Sequence, residues 1–234
     1  MDILDEPVTY PGEVADFDPA EHEDHFRIVA FGDSTTLCIR QDKGQRWPDL
    51  LEVECGSPCA VINAGVGGTS SSLGLFRWHR DVAPISPHCV IINFLLNDCG
   101  IRHYECRTSY LVQCTQDRMD ANLRSLIDLT RASGAIPLLW TPPPVPEWHW
   151  TDVYKSKTQV RIQLDLLESY ADVVERLASE CDVPLAHMWR TFPDLVDDYP
   201  GIYLDPPDGY HSNVNSQPII AKQIAALVRP LIGV

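Results

Sequence analysis

Short apolar runs alternate with longer amphipathic segments from residue 27 onward, and this alternation restricts the fold more than any other feature of the chain. The apolar runs consist almost entirely of hydrophobic residues. They cover residues 27–31, 60–63, 89–95, 136–140 and 183–186. Strands that are buried on both faces have this composition, because helices cover both sides of the sheet that they form. The pattern therefore predicts an α/β fold with a five-stranded parallel sheet.

The segments between these runs have helical periodicity. The clearest case is 115–132, where Met119, Leu123, Leu126 and Ile127 recur at intervals that place them on one face of a helix. Gly134 directly follows this segment and is a natural helix terminator. Further helices are predicted over 45–55, 71–82, 159–179 and 214–231.

The charge of the chain is strongly negative and unevenly distributed. Eighteen basic and 33 acidic side chains give a net charge of −15 over 234 residues. Residues 1–26 hold nine acids and no Lys or Arg, so the remainder carries 18 − 24, or −6. Nucleic acids and anionic membrane surfaces require a basic footprint, and both are therefore excluded as partners. We predict an acidic N-terminal arm over 1–26 and one domain over 27–234.

The sequence also bears on location and on the state of the cysteines. The first residues lack the basic and apolar parts of a signal peptide, and no apolar run reaches the ~20 residues that span a bilayer. We therefore expect a soluble, cytoplasmic protein with no membrane span.

The eight cysteines lack the paired C-x2-C spacing of structural zinc sites, so we expect no metal. Reduced thiols are expected, while a disulfide among Cys99, Cys106 and Cys114 stays open.

Chemically active residues follow the predicted strands at their carboxyl ends, which is where sites form in parallel sheets. The fragments are Gly32-Asp33-Ser34, Asn63 to Gly68, Asn97-Asp98 and, before the last helix, Asp208-Gly209-Tyr210-His211. Each fragment alone is a weak signal. Four fragments in this order, each at a strand end or helix start, form a strong joint signal.

With these fragments the chain resembles the SGNH, or GDSL-type, hydrolase family over residues 27–232. The resemblance implies a three-layer α/β/α sandwich of flavodoxin-like type around the parallel sheet, with 27–234 as the hydrolase domain. It implies that Ser34 is the nucleophile and that His211 and Asp208 complete a catalytic triad. It further implies an oxyanion hole formed by Ser34, Gly68 and Asn97. The family needs no cofactor, and the expected partner is a small-molecule ester.

The residue types suit this chemistry on physical grounds. A serine hydroxyl becomes nucleophilic when a base accepts its proton, and imidazole is suited to this role because it titrates near neutrality. Asp208 precedes His211 by three residues, so one turn of chain can orient the imidazole and stabilise its charged form. Two backbone N–H groups and the Asn97 amide can donate to an oxyanion. Asp33 and Asp98 are expected to brace loops by accepting from backbone N–H groups.

Departures from the family pattern concern the substrate. The family usually has Gly-x-Asn-Asp where this chain has Leu95-Leu96-Asn97-Asp98, and leucine in place of glycine adds bulk beside the predicted oxyanion hole. Trp148 and Trp150 follow the fourth strand in a proline-stiffened segment, and with Leu96 they are the predicted substrate-binding residues. The predicted function is a serine esterase for small or acyl-ester substrates. A carbohydrate O-acetylesterase and a catalytically idle binding module on the same fold remain alternatives.

Overall fold

The computed structural model describes residues 12–102, 111–146, 157–196, 203–204 and 211–233. The strands are β1 (Phe26–Gly32), β2 (Cys59–Gly65), β3 (Cys89–Asn93), β4 (Ile101–Arg102), β5 (Leu111–Val112), β6 (Ile136–Thr141) and β7 (Leu185–His187). The helices are α1 (Gly12–Asp16), α2 (Ser34–Leu37), α3 (Trp47–Cys55), α4 (Ser71–Asp81), α5 (Leu95–Asp98), α6 (Gln116–Ala132), α7 (Lys157–Glu180), α8 (Met188–Leu195) and α9 (Gln217–Ile232).

Five strands form one parallel sheet in the order β2-β1-β3-β6-β7, which confirms the predicted fold class. The two remaining strands, β4 and β5, pair as a short antiparallel hairpin. β1 lies between β2 and β3, and its last residue, Gly32, pairs with Gly65 on one side and Asn93 on the other. Three strands therefore end at one level, and the loops that leave them begin side by side.

Helices cover both faces of the sheet and bury two separate cores. On one face, Trp78 of α4 and Leu123 of α6 pack in a single cluster with Leu167 of α7. On the other face, Trp47 of α3 joins a second cluster with Ile224 of α9. The continuous apolar strands serve both cores, because successive side chains of a strand point to opposite faces of the sheet.

Most predicted elements lie within a few residues of the observed ones, and the elements that were missed are short: the helices α1, α2, α5 and α8 and the strands β4 and β5. The strand predicted over 89–95 ends at Asn93, where the chain turns into α5. The cause is local, since Asn93 Oδ1 accepts a hydrogen bond of 3.1 Å from the Leu95 backbone N–H. Helices α2, α5 and α8 were not predicted, because segments of four to eight residues show too little periodicity.

The second half of the acidic N-terminal segment lies against the body of the domain. Val14 of α1 is only 4% exposed and belongs to the same core as Trp78. Glu13 forms an ion pair of 2.5 Å with Arg46, and its other carboxylate oxygen accepts from the Asn63 backbone N–H at 3.1 Å. The division of the chain at residue 26 stays a prediction, but residues 12–26 make contacts that a detached arm would lack.

Truncation of the N-terminal segment tests the contribution of these contacts. Removal of residues 1–24 deletes Val14 and Glu13, and we expect the free energy of unfolding to fall by about 2 to 4 kcal/mol. Removal of residues 1–10 leaves both side chains in place and serves as the control. The measurement is urea unfolding of both truncated proteins beside the full chain. Equal stability of the two truncated proteins would show that α1 adds nothing to the fold.

Candidate active site

The nucleophile candidate Ser34 lies at the first position of α2, directly after β1. Asp33 is the N-cap of this helix, and its Oδ1 accepts from the Thr35 backbone N–H at 2.9 Å and from Thr35 Oγ1 at 2.6 Å. The capping bond therefore comes from Asp33, and the hydroxyl of Ser34 is not used for it. The expectation that Asp33 braces its loop is confirmed.

The imidazole of His211 reaches Ser34 across 177 residues of sequence. His211 Nε2 lies 2.9 Å from Ser34 Oγ, and the imidazole is buried, with 7% of the residue exposed. The following residue is held by Gln217 of α9, whose Nε2 donates to the Ser212 carbonyl at 2.9 Å. The other end of the same amide accepts from the Trp47 backbone N–H, also at 2.9 Å. Gln217 thus ties the His211 loop to the start of α3.

Three of the predicted site residues lie outside the described residues. They are Asp208, Trp148 and Trp150. The assignment of Asp208 to the triad and of the two tryptophans to substrate binding remains a prediction from the sequence.

Glycines bring the turn after β2 close to Ser34. A Cβ atom at Gly65 would lie 2.2 Å from the Leu37 backbone nitrogen, so only glycine permits the close approach of β2 to α2. Gly68 adopts a φ of +72°, a left-handed backbone conformation that favours glycine. A Cβ atom at Gly67 would lie 3.9 Å from the Cβ of Ser34. The Gly67-Gly68 turn therefore borders Ser34.

Asn97 lies on the other side of the site, and a buried hydrogen-bond network holds it there. Its Nδ2 donates to Asp33 Oδ2 at 3.0 Å. The other carboxylate oxygen of Asp33 accepts from Thr35 Oγ1, and this hydroxyl accepts in turn from Asn93 Nδ2 at 3.0 Å. Burial raises the pKa of the Asp33 carboxyl, and the hydrogen bonds from Thr35 and Asn97 oppose this shift. Sequence reasoning missed Asn93, although a lone polar residue in an apolar strand is a usable signal.

Asp98 braces the start of α4, as expected from the sequence. Its Oδ1 accepts from the Ser71 backbone N–H at 2.8 Å, while its buried Oδ2 has no hydrogen-bond partner among the described residues. Burial raises the pKa of Asp98 to about 7, and the hydrogen bonds from Ser71 oppose this shift. Leu95, at the start of the same short helix, is fully buried in the core.

A small pocket opens beside the Ser34–His211 pair. Its lining comprises Ser34, Thr35, Cys38, Ile39, Arg40, His211, Ser212 and Gln217. Leu96 is half-buried against the core and does not line this pocket, so its predicted role in substrate binding gains no support from it. Sequence reasoning missed Ile39 and Arg40, which follow a motif residue but carry no motif of their own.

The sequence also led us to expect reduced thiols, no metal and no membrane span. Of the described cysteines, the free thiols are Cys38, Cys55, Cys59, Cys89, Cys99, Cys114 and Cys181, while Cys106 lies outside the described ranges. Within those ranges no group of three metal-ligating side chains comes together. In the same part of the chain, no helix has the length and apolar composition that a membrane span requires.

Comparison with known proteins assigns the family. Residues 30–215 match the model of the GDSL-like lipase/acylhydrolase family. The chain belongs to this family. As a member it is a carboxylic ester hydrolase, which confirms the resemblance read from the four fragments.

Relatives with named activities include two ester hydrolases. Thioesterase 1/protease 1/lysophospholipase L1 of Escherichia coli is 26% identical, over 88% of this chain and 85% of the relative. An arylesterase of Vibrio mimicus is 24% identical, over 85% of this chain and 86% of the relative. A mutant of an acetyl-xylooligosaccharide esterase from Geobacillus stearmophilus has the same fold, with a TM-score of 0.67 and 20% identity. That match covers 88% of this chain and 93% of the esterase.

The buried carboxyl of Asp98 predicts a dependence of stability on pH. Its folded-state pKa of about 7 lies above the ordinary value of 3.8, so its stabilising contribution is present below pH 4 and is lost as pH rises through 7. Asp98→Asn keeps the acceptor for the Ser71 N–H and removes the titration. Since each pKa unit corresponds to about 1.4 kcal/mol, we expect the variant to gain a few kcal/mol over wild type between pH 4 and pH 8.

Urea unfolding at pH 4, 6 and 8 measures this difference. Asp182→Asn, at an exposed aspartate, is the control for the loss of one surface charge. If wild type and Asp98→Asn show parallel pH dependence, the Asp98 carboxyl does not titrate in this range.

Proposed function

We propose that this protein is a serine esterase that hydrolyses carboxylic esters of small or acyl-ester substrates through an acyl-enzyme on Ser34. The observation that carries the proposal is the distance of 2.9 Å between Ser34 Oγ and His211 Nε2. A nucleophile and a base within hydrogen-bond reach are the geometric requirement for activation of a serine hydroxyl. The family assignment adds the reaction class, and the geometry supports these two residues for its central step.

In the proposed reaction, His211 accepts the hydroxyl proton as Ser34 Oγ attacks the ester carbonyl. The tetrahedral intermediate collapses when His211 returns the proton to the leaving alcohol, and an acyl-Ser34 ester remains. Water, activated by the same imidazole, then attacks the acyl group and regenerates the serine. Asp208 is assigned the role of holding the imidazole in the correct tautomer and stabilising its charged form.

The oxyanion hole is proposed to consist of the Ser34 and Gly68 backbone N–H groups and the Asn97 side-chain amide. An asparagine amide carries two N–H bonds, and Asn97 donates one of them to the buried Asp33 carboxyl. This bond fixes the amide plane, and we assign the second N–H to the oxyanion. A donor that is oriented before the reaction needs no reorganisation in the transition state, which is why such groups are effective.

Two kinds of substrate fit the proposal. The relatives of this chain are named as a thioesterase, a lysophospholipase and an arylesterase. These names support esters with acyl chains of different lengths as substrates. A second candidate function is carbohydrate O-deacetylation. It is supported by the likeness in fold to an acetyl-xylooligosaccharide esterase.

Substitution of the nucleophile tests the proposed mechanism. We expect Ser34→Ala to lower kcat on p-nitrophenyl acetate by at least about 10⁴-fold, because the residual rate would come from binding and the oxyanion hole alone. Ser133→Ala, at the far end of α6, is the matched control and should keep wild-type turnover. Labelling by a fluorophosphonate should occur in wild type and disappear in Ser34→Ala. Undiminished hydrolysis by Ser34→Ala would refute the mechanism.

The same assay separates the candidate substrates. Rates of hydrolysis of p-nitrophenyl esters with acyl chains of two to twelve carbons are compared with the rate of acetate release from acetylated xylo-oligosaccharides. Acetate release from the sugars, with negligible turnover of the simple esters, would favour the deacetylase. Absence of turnover on every ester, combined with absence of labelling, would favour the idle binding module.

Removal of the Asn97 amide tests the oxyanion hole. We expect Asn97→Ala to lower kcat by about 10²- to 10³-fold with little change in KM, because the lost bond is made mainly in the transition state. Asn215→Ala, at an exposed asparagine in the loop that carries His211, is the control. A rise in KM at unchanged kcat would instead place Asn97 in ground-state substrate binding.

A further inference from the structure

A buried guanidinium lies between the strand ends that carry the candidate site. Arg77 of α4 is only 2% exposed, and its Nη2 donates to the Gly32 carbonyl at 3.0 Å. Its Nη1 lies 3.3 Å from the Ala64 carbonyl, to which it also donates. Gly32 ends β1 two residues before Ser34, and Ala64 lies in β2 four residues before Gly68. One side chain therefore joins β1, which leads to Ser34, and β2, which leads to the turn that contains Gly68.

We propose that Arg77 is a positioning residue for ester hydrolysis: by joining the Gly32 and Ala64 carbonyls, it sets the position of Ser34 relative to the Gly68 turn. The proposal rests on the proposed function, since it assigns a task in the reaction at Ser34. Arg77 does not contact the reacting atoms. Its effect reaches them through the main chain of the two loops.

The Gly32 carbonyl is the point at which the two loops meet. Besides Arg77 it accepts from the Val66 backbone N–H at 3.0 Å, and Thr69 Oγ1 lies at 3.4 Å. Val66 and Thr69 flank the Gly67-Gly68 turn in sequence. Hydrogen bonds from a charged donor are roughly twice as strong as neutral ones, so Arg77 reinforces this junction more than a neutral side chain would.

The charge of Arg77 is retained although burial opposes it. Burial lowers the pKa of the Arg77 guanidinium, while the adjacent Asp81 carboxylate opposes this shift through an ion pair of 2.6 Å. The guanidinium also stacks over the Phe31 ring, with its central carbon 4.9 Å from the ring centroid. A buried ion pair often adds no stability over a well-packed apolar side chain of similar volume. Stability alone therefore does not require an arginine here, whereas the bridge between two carbonyls does.

Arg80 provides a matched control on the same helix. It is half exposed, and it donates to both oxygens of Asp81 at 2.5 and 3.0 Å. Because Arg80 still pairs with Asp81, the substitution Arg77→Met does not leave a buried carboxylate without a cation. Arg80→Met removes the other guanidinium from the same carboxylate and leaves the contacts of Arg77 with the strand ends in place.

The experiment compares kcat, KM and the rate of fluorophosphonate labelling in Arg77→Met, Arg77→Lys, Arg80→Met and Ser34→Ala, each with its melting temperature. A misplacement of about 1 Å can cost on the order of 10²-fold, so we expect Arg77→Met to lower kcat and the labelling rate by about 10- to 100-fold. KM should change by less than about threefold, because the substrate contacts remain. Arg77→Lys keeps the charge but not the two-pronged bridge and should recover only part of the loss. Arg80→Met should keep kcat within about twofold of wild type, whatever its melting temperature.

Several results would overturn the proposal. Wild-type kcat and labelling in folded Arg77→Met would reduce Arg77 to a structural role, and full activity of Arg77→Lys would show that the bridge is dispensable. An equal loss of kcat in Arg80→Met would assign the effect to the ion pair and not to the carbonyl contacts. If Arg77→Met does not fold, Arg77→Lys and Arg80→Met decide the matter by the same criteria. Failure of the proposed function itself is recognised separately, by hydrolysis that persists in Ser34→Ala.

Discussion

The parallel pairing of β1 with both of its neighbours is the interaction on which the rest of the site depends. Its register places Gly32 beside Gly65 and beside Asn93, so three loops leave the sheet at one level. In a parallel sheet all strands run in the same direction, so their carboxyl ends lie side by side. Residues that follow different strands, although far apart in sequence, therefore come together there. Ser34 and Asn97 are 63 positions apart and are brought together in this way.

Beyond the strand ends, hydrogen bonds between side chains and loops hold the site residues in position. Asp33 caps α2 with one carboxylate oxygen and receives the Asn97 amide on the other. A network of this kind is strongly directional in a buried environment, because each unsatisfied member would be costly. It thus specifies one arrangement of the loops where apolar packing alone would allow several. Burying the Asp33 carboxylate is unfavourable by itself, which its raised pKa reflects, and the hydrogen bonds offset that cost.

Agreement between sequence and structure is closest for the long, periodic elements. The prediction for α6 differs from the structure only at Thr115, which is its N-cap. Agreement is poorest where a single side-chain contact ends an element, as when Asn93 turns the third strand into α5. A propensity averaged over a window cannot register such a contact. The contacts of Glu13 with Arg46 and with the β2 backbone were invisible for the same reason, since nothing in a run of acids indicates which of them will be paired.

The sequence by itself determined the α/β class and the order of the elements, and it supplied the candidates for the nucleophile, the base and the oxyanion donors. These follow from hydrophobic periodicity and from motifs in which neighbouring residues belong to one loop. Only the tertiary structure decided how separate loops meet: that His211 reaches Ser34, that Asn97 binds Asp33, and that Arg77 joins two strand ends. The physical reason is that these contacts are made between groups 13 to 177 residues apart. Their distances and directions depend on how the sheet and its helices pack together, which no local pattern in the chain encodes.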